Sequence, residues 1–358
     1  MRGLTTNTDH REIILAAGLI AVLSISALSI YPFMVPASNE KHYSHWSAYA
    51  FIAIDGDANF SDTALLEGWA GDGSPENPYI IDGLNIDPVD AVGHGISISN
   101  TRVSFTIRNC NITGFVSHHG DFCEGGAGIY LENVTNGQLV NNTCTSNSYG
   151  IDIWGSYSNT MVNNTCNNNS WTGISLEWSN SNTMANNICS NNTDFGIFLD
   201  DISFNNTVVN NTCINNRIGI FFYESDSNTV ADNTCDSNTE YGIYLYESHF
   251  SSVVNNICNN NRIGIFLEDS ESNTVDSNTC NNNRIGISLD ESFYNAGSNN
   301  TFLDNTKHDM IGEFVDLELA YRESVAREFV WLLAGCGMIL VVSVIALLLF
   351  RRMEIHRE

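Results

Sequence analysis

Lysine is nearly missing from this chain: only Lys41 and Lys307 occur, 266 positions apart. With 14 Lys and Arg against 41 Asp and Glu, the formal net charge is −27. So acidic a surface repels the phosphate backbone and excludes nucleic acid as a partner. It suits cations or basic partners, and it keeps an exposed surface soluble. Also absent are a phosphate-cradling glycine loop and a strained nucleophile elbow, so neither nucleotide chemistry nor a serine-hydrolase mechanism is indicated. Long apolar runs are confined to the two ends.

Residues 13–30 form the first run, behind Arg2 and Arg11. Eighteen residues suit a signal sequence or signal anchor. Val35-Pro36-Ala37 offers small residues for cleavage, with a retained anchor as the alternative. Residues 329–350 form the second run, enough for about 33 Å of helix. Arg351 and Arg352 follow at once, which places the short tail 351–358 in the cytoplasm and the bulk of the chain outside. The expectation is a cell-membrane protein, single-pass, or two-pass if the first segment is retained.

Between these ends the sequence repeats. Gly-Ile pairs begin at Gly128, Gly150, Gly173, Gly196, Gly219, Gly242, Gly264 and Gly286, in steps of 22 or 23 residues, with an earlier pair at Gly95. That step is too short for a helix-pair solenoid, and the Asn and β-branched content favours strands and turns. Each repeat reads approximately G-I-x-L, a turn, N-T-V or N-T-M, then N-N-x-C. G-I-x-L has the period of a half-buried strand. Ile151, Ile174, Ile197, Ile220, Ile243, Ile265 and Ile287 are expected to stack inward, with Leu176, Leu199 and their equivalents beside them. Asparagines two residues before each repeat cysteine, such as Asn164, and three after it, such as Asn169, are expected to form amide ladders at the turns. The fold class is therefore an all-β solenoid, a right-handed parallel β-helix with 22–23-residue coils.

This repeat resembles that of the NosD-like and pectate-lyase-like superfamily, the carbohydrate-binding and sugar-hydrolysis domains. The segment Ala70-Gly71-Asp72-Gly73-Ser74-Pro75-Glu76-Asn77-Pro78-Tyr79-Ile80-Ile81 is similar to the lead-in of many surface members. The resemblance covers about residues 50–305. It implies the fold strongly and the activity poorly, because this architecture hosts lyases, hydrolases, binding modules and scaffolds. The expected layout is a signal or anchor at 1–37, a lead-in segment and cap at 38–94, and repeats at 95–305. A capping, juxtamembrane helix at 306–328 then leads to the membrane helix at 329–350.

Outward positions of the G-I-x-L strands suggest a site. One column reads Tyr130, Asp152, Ser175, Phe198, Phe221, Tyr244, Phe266 and Ser288; the next reads Glu132, Trp154, Glu177, Asp200, Tyr223, Tyr246, Glu268 and Asp290. Aromatics flanked by carboxylates suit a glycan. The same stripe also suits simple strand stabilisation, or cover by a surface protein. Glu177 with Asp200, or Glu268 with Asp290, are candidate carboxyl pairs for a polysaccharide lyase or glycoside hydrolase, or for calcium. A pectate-lyase-like mechanism also wants a base beside calcium. In the column Asp194, Arg217, Glu240, Arg262, Arg284, the sign alternation that explains the other arginines leaves Arg284 over. An irregular insertion carries His118, His119, Asp121, Cys123 and Glu124, donors suited to zinc or copper. NosD-like relatives are described as copper-binding, but no matching motif stands here. The cysteine column Cys144, Cys166, Cys189, Cys213, Cys235, Cys258 and Cys280 is read as buried filler, with disulfides or a metal stack as alternatives. Sequons such as Asn163-Asn164-Thr165 permit glycosylation. The functional expectation is an anchored β-helix that binds extracellular glycan. A structural or adhesive surface protein is the alternative, and an enzyme or a copper-binding protein comes after it.

Overall fold

The computed structural model describes residues 51–117 and 125–315. They form a parallel β-solenoid. An 11-stranded sheet, here the long sheet, takes one strand from each coil, from Ile52–Asp55 to His308–Ile311, each paired in parallel with the strand one coil away. A nine-stranded sheet makes a second wall, from Tyr79–Asp82 to Thr274–Asp276. The third wall consists of short strands and single bridges around the cysteines.

Register is held coil after coil. Ile151, Ile174, Ile197, Ile220, Ile243, Ile265 and Ile287 are successive partners and wholly buried. Met161, Met184, Val208, Val230, Val253 and Val275 line the second wall in the same way. No coil can bury these side chains alone; stacking at about 4.8 Å makes them one core.

The repeat glycine is required by a close approach. A Cβ on Gly196 would stand 2.5 Å from the Gly219 carbonyl oxygen and 2.9 Å from Cys213 Cβ. The glycine lets the corner close over the cysteine column, and the next residue enters the core.

Asparagine ladders form as expected. Asn164 Nδ2 donates to Asn187 Oδ1 at 3.0 Å, Asn187 to Asn211 at 2.9 Å, and Asn211 to Asn233 at 3.0 Å. A second ladder links Asn169, Asn192 and Asn216. Unusual backbone angles, however, fall on the preceding residue rather than on the ladder residue. Asn163 (φ 57°), Asn168 (φ 56°) and Asn210 (φ 56°) are left-handed and exposed, while Asn164, Asn169 and Asn211 are buried. Adjacent asparagines thus divide the work of the corner. The exposed one is also the sequon residue of Asn163-Asn164-Thr165. A third asparagine ladder, through Asn159, Asn182 and Asn206, and a serine ladder, Ser156 to Ser179 to Ser203, close the remaining corner.

The solenoid outruns the expected repeat limits at both ends. Its first strand begins at Ile52, and helix α1 (Asp57–Glu67) follows. Phe60 of α1 stacks on Tyr79 at 5.0 Å and meets Phe105 at 5.3 Å. At the other end, His308–Ile311 adds a strand where a helix was expected, and Val315 bridges Ala296. The signal segment, the remainder (316–328) of the helix expected over 306–328 and the apolar run 329–350 lie outside the described residues. Among the described residues no helix is long and apolar enough to cross a membrane.

Candidate functional site

Two walls of the solenoid present little chemistry. Their outward residues are mostly small, as in Thr160, Val162, Thr183 and Ala185 on the second wall and Thr165 and Thr212 on the third. Beyond the Asp82–Arg108 ion pair at the start of the second wall, the large aromatic and carboxyl columns stand on the long sheet.

Its aromatic stripe forms as a stack. Phe198 lies on Phe221 at 5.2 Å and 11°, Phe221 on Tyr244 at 4.7 Å and 10°, and Tyr244 on Phe266 at 5.1 Å and 15°. In the next column Tyr223 stacks on Tyr246 at 5.3 Å and 18°. Phe195 and Tyr241 flank the stripe at 4.6 and 4.8 Å from Phe198 and Tyr244. The rings therefore spend their faces on one another and turn their edges outward. The stripe is also less open than expected, since Phe266 is only 9% exposed and Phe198, Phe221 and Tyr244 are half-buried. Strand stabilisation by stacking is thus part of what these residues do.

The carboxyl groups gather on earlier coils. Trp154, Glu177 and Asp200 are in-register partners on three successive strands. Asp152 and Ser175 are paired beside them, one position away. Burial, reinforced by the charge of Glu177, raises Asp152 from its ordinary 3.8 to about 7, against a hydrogen bond from Ser175. Burial, then the charges of Asp201 and Glu177, raise Asp200 to about 7. Tyr130, on the coil before Asp152, is also raised, by burial first and then by Asp152 and Glu132. Asp201 (φ 36°) and Ile202 (φ 57°) are both left-handed and follow directly. A β-branched residue is an outlier in that region, so the coil departs from its regular path beside the carboxyl cluster. Asp152 and Asp200, sheltered beside the charge of Glu177, hold protons near neutrality, so these two donate as well as accept hydrogen bonds.

The second expected pair fares differently. Glu268 and Asp290 are in-register partners, but Glu268 accepts a short hydrogen bond from the Tyr244 hydroxyl and so serves the aromatic stack. Arg284 lies four coils beyond Asp200, on the order of 19 Å away, so the structure does not bring it to the Glu177–Asp200 pair.

His118, His119, Asp121 and Cys123 lie outside the described residues. Among the described residues no group of three or more His, Cys, Asp or Glu is placed to hold a metal ion. Cys110 and the seven-residue column from Cys144 to Cys280 are buried free thiols. Burial pushes Cys189 and Cys258 well up, whereas against burial at Cys166 and Cys213 hydrogen bonds from neighbouring cysteines pull the thiols down to about 5. The column acts as core filling. Asp152 stood in the outward column of the sequence but not among its expected site residues. The signal that would have singled it out is a lone carboxylate between Tyr130 and Ser175.

Solved structures share the fold, among them a tailspike protein and an epimerase module. The Dettilon tailspike protein (gp208) is 19% identical with a TM-score of 0.55, over 73% of this chain and 60% of that one. The A-module of the Azotobacter vinelandii mannuronan C-5 epimerase AlgE4 is 14% identical with a TM-score of 0.56, over 74% of this chain and 94% of that one. At such identities the likeness is one of fold. No curated protein matches the chain. The family model described as periplasmic copper-binding protein (NosD) matches residues 77–246 and 203–313, more than half of the sequence, and the chain belongs to the NosD family.

Proposed function

We propose that the outer face of the long sheet binds extracellular polysaccharide, through the Asp152–Glu177–Asp200 cluster and the adjoining aromatic stripe. The observation that carries this reading is the cluster itself. Two carboxyls near 7 stand beside a third on the outer face of the long sheet. Such groups match sugar hydroxyls, which offer both donors and acceptors. The edges of Phe198, Phe221 and Tyr244, with the Tyr223 and Tyr246 hydroxyls, extend the surface along the coil axis. The solved structures of similar fold include a protein named for mannuronan, a polysaccharide, which fits this reading. In the same proposal residues 329–350 anchor the chain in the membrane, with the β-helix outside the cytoplasm.

A second reading is favoured by one observation. A carboxyl near 7 is poised to serve as acid or base at neutral pH, and Glu177 and Asp200 sit on adjacent coils, close to the separation of about 5–5.5 Å found in retaining glycosidases. Polysaccharide cleavage is therefore the companion activity to look for. Copper, which the family description names, finds no matching donor set among the described residues.

The test is the full chain in detergent micelles against a panel of polysaccharides, with and without calcium. Binding that is lost in Phe221→Ala/Tyr244→Ala and in Asp152→Asn supports the proposal. Product release in the same wells brings the second reading forward. No binding to any polysaccharide overturns both.

A further inference from the structure

Six cationic side chains lie among the described residues: Arg102, Arg108, Arg217, Arg262, Arg284 and Lys307. Three of them have carboxylate neighbours. Arg108 pairs with Asp82 at 2.7 Å, Arg217 bridges Asp194 at 2.9 Å and Glu240 at 3.1 Å, and Arg102 lies against Asp57, which accepts its backbone N–H. The other three stand together. The Ile285 N–H bonds to the Arg262 carbonyl and the Lys307 N–H to the Arg284 carbonyl, so Arg262, Arg284 and Lys307 hold the same corner position on successive coils. Coil spacing sets them about 4.8 Å apart. All three are exposed, and none has an ion pair among the described residues.

The same column makes the contrast. Asp194, Arg217 and Glu240 alternate in sign and neutralise one another. The alternation runs on to Arg262 and stops there: Arg284 and Lys307 follow with the same sign, so three positive charges stand in a row in a chain with 41 acidic residues to draw on. Stacked like charges repel, and counter-anions at the same spacing relieve that repulsion. The column borders the aromatic stripe, because Arg262 lies close enough to Tyr241 to act on its hydroxyl, and Tyr241 packs on Phe266 at 5.3 Å.

We propose that Arg262, Arg284 and Lys307 form a ladder for an acidic polysaccharide carrying about one negative charge per sugar, laid along the coil axis beside the aromatic stripe. The proposal rests on the glycan-binding reading above and specifies its ligand class. The guanidinium forks of Arg262 and Arg284 grip carboxylate or sulfate oxygens in pairs, and Lys307 supplies a point charge at the end of the row. Without these three, so acidic a chain would turn a polyanion away.

The experiment compares the full chain in detergent micelles with the Arg262→Gln/Arg284→Gln/Lys307→Gln variant. The probes are a polyuronate, a sulfated polysaccharide and a neutral glucan, each at low and high salt. The native chain is expected to prefer one or both acidic polymers, which tells carboxylate from sulfate recognition. The variant is expected to lose about tenfold of that affinity, as three exposed charge contacts allow, and most of its salt dependence. Its affinity for the neutral glucan should be unchanged. Equal binding of acidic and neutral polymers by the native chain, or unchanged acidic binding by the variant, overturns this proposal and leaves glycan binding standing. No binding to any polymer overturns both.

Discussion

Replacing Asp152 by asparagine should make the protein more stable at neutral pH, and the gain can be worked from the site. Asp152 is raised from 3.8 to about 7 by burial and by Glu177. For an acid whose folded value lies above its unfolded one, the contribution to stability is fully present below the unfolded value. It is lost as pH rises through the folded value. At pH 4 the unfolded acid is a little over half ionised while the folded one is protonated, and the penalty is only about 0.6 kcal/mol. At pH 7 the unfolded acid is fully ionised while the folded one is only half so. Each tenfold mismatch is about 1.4 kcal/mol, so the folded state forgoes on the order of 4 kcal/mol. Asp152 keeps some exposure, and solvent screening reduces this to about 2–3 kcal/mol. Asparagine keeps the acceptor for Ser175 and removes the charge. Urea denaturation of the full chain, followed by far-UV circular dichroism at pH 4 and pH 7, measures the difference. The variant and native proteins should have similar midpoints at pH 4 and separate at pH 7, with the variant higher. If the two proteins run parallel across that range, Asp152 is not desolvated as described, and the argument for the cluster as a site loses its basis.

Two more outcomes follow from the corners and the core. Asn211→Ala strips partners from the Met184 carbonyl, the Asn187 backbone and amide N–H groups and Asn233 Oδ1, all buried, and should cost about 3 kcal/mol or more, whereas exposed, left-handed Asn210→Gly should cost under about 0.5 kcal/mol; equal urea midpoints for the two variants would refute the division of labour between neighbouring asparagines. The eight described cysteines should resist alkylation in the native protein and react fully after denaturation, as peptide mapping would read, and rapid native labelling of the column from Cys144 to Cys280 would contradict its burial.

What the sequence made legible was whatever repeats. Ile151 to Ile287, the valines of the second wall and the Asn164 and Asn169 ladders were readable because period-two alternation and a 22–23-residue step leave one register that buries them all. Features that depend on a single coil were not readable. Helix α1 buries only Phe60 and Ala64, too few to write a helical period into the sequence. The strand His308–Ile311 lacks the Gly-Ile signature, so it was read as the start of a helix. Neighbouring asparagines look alike in sequence, and only the backbone shows that one bends the chain while the other bonds across it. Asp152 escaped for a further reason. Desolvation of Asp152 and its repulsion by Glu177 act diagonally between coils, through side chains 25 residues apart.

The same contrast argues for where chemistry resides on this solenoid. Each coil from Ile151 to Cys280 buries an isoleucine at one wall, a valine or methionine at the second and a cysteine at the third, and bonds its corner amides to the coils above and below. These demands fix the inward residues and the corners. They leave only the outward positions free. On two walls those positions hold mostly threonine and small aliphatic residues, which serve a strand and little else. On the long sheet they change from coil to coil, from the Asp152–Glu177–Asp200 carboxyls through the Phe198–Phe266 stack to the row Arg262, Arg284 and Lys307 at its border. A linear polymer lying along the axis would meet proton-donating acids, then ring edges, then cations, in a fixed order set by the coil spacing. Recognition would then read position along a chain, and shortening the ligand from one end should remove one kind of contact at a time. Oligosaccharides of decreasing length should accordingly lose affinity in steps. A smooth decline with length in the native chain, unaltered in the triple cation variant, would show that the order of groups along this face does not matter to binding.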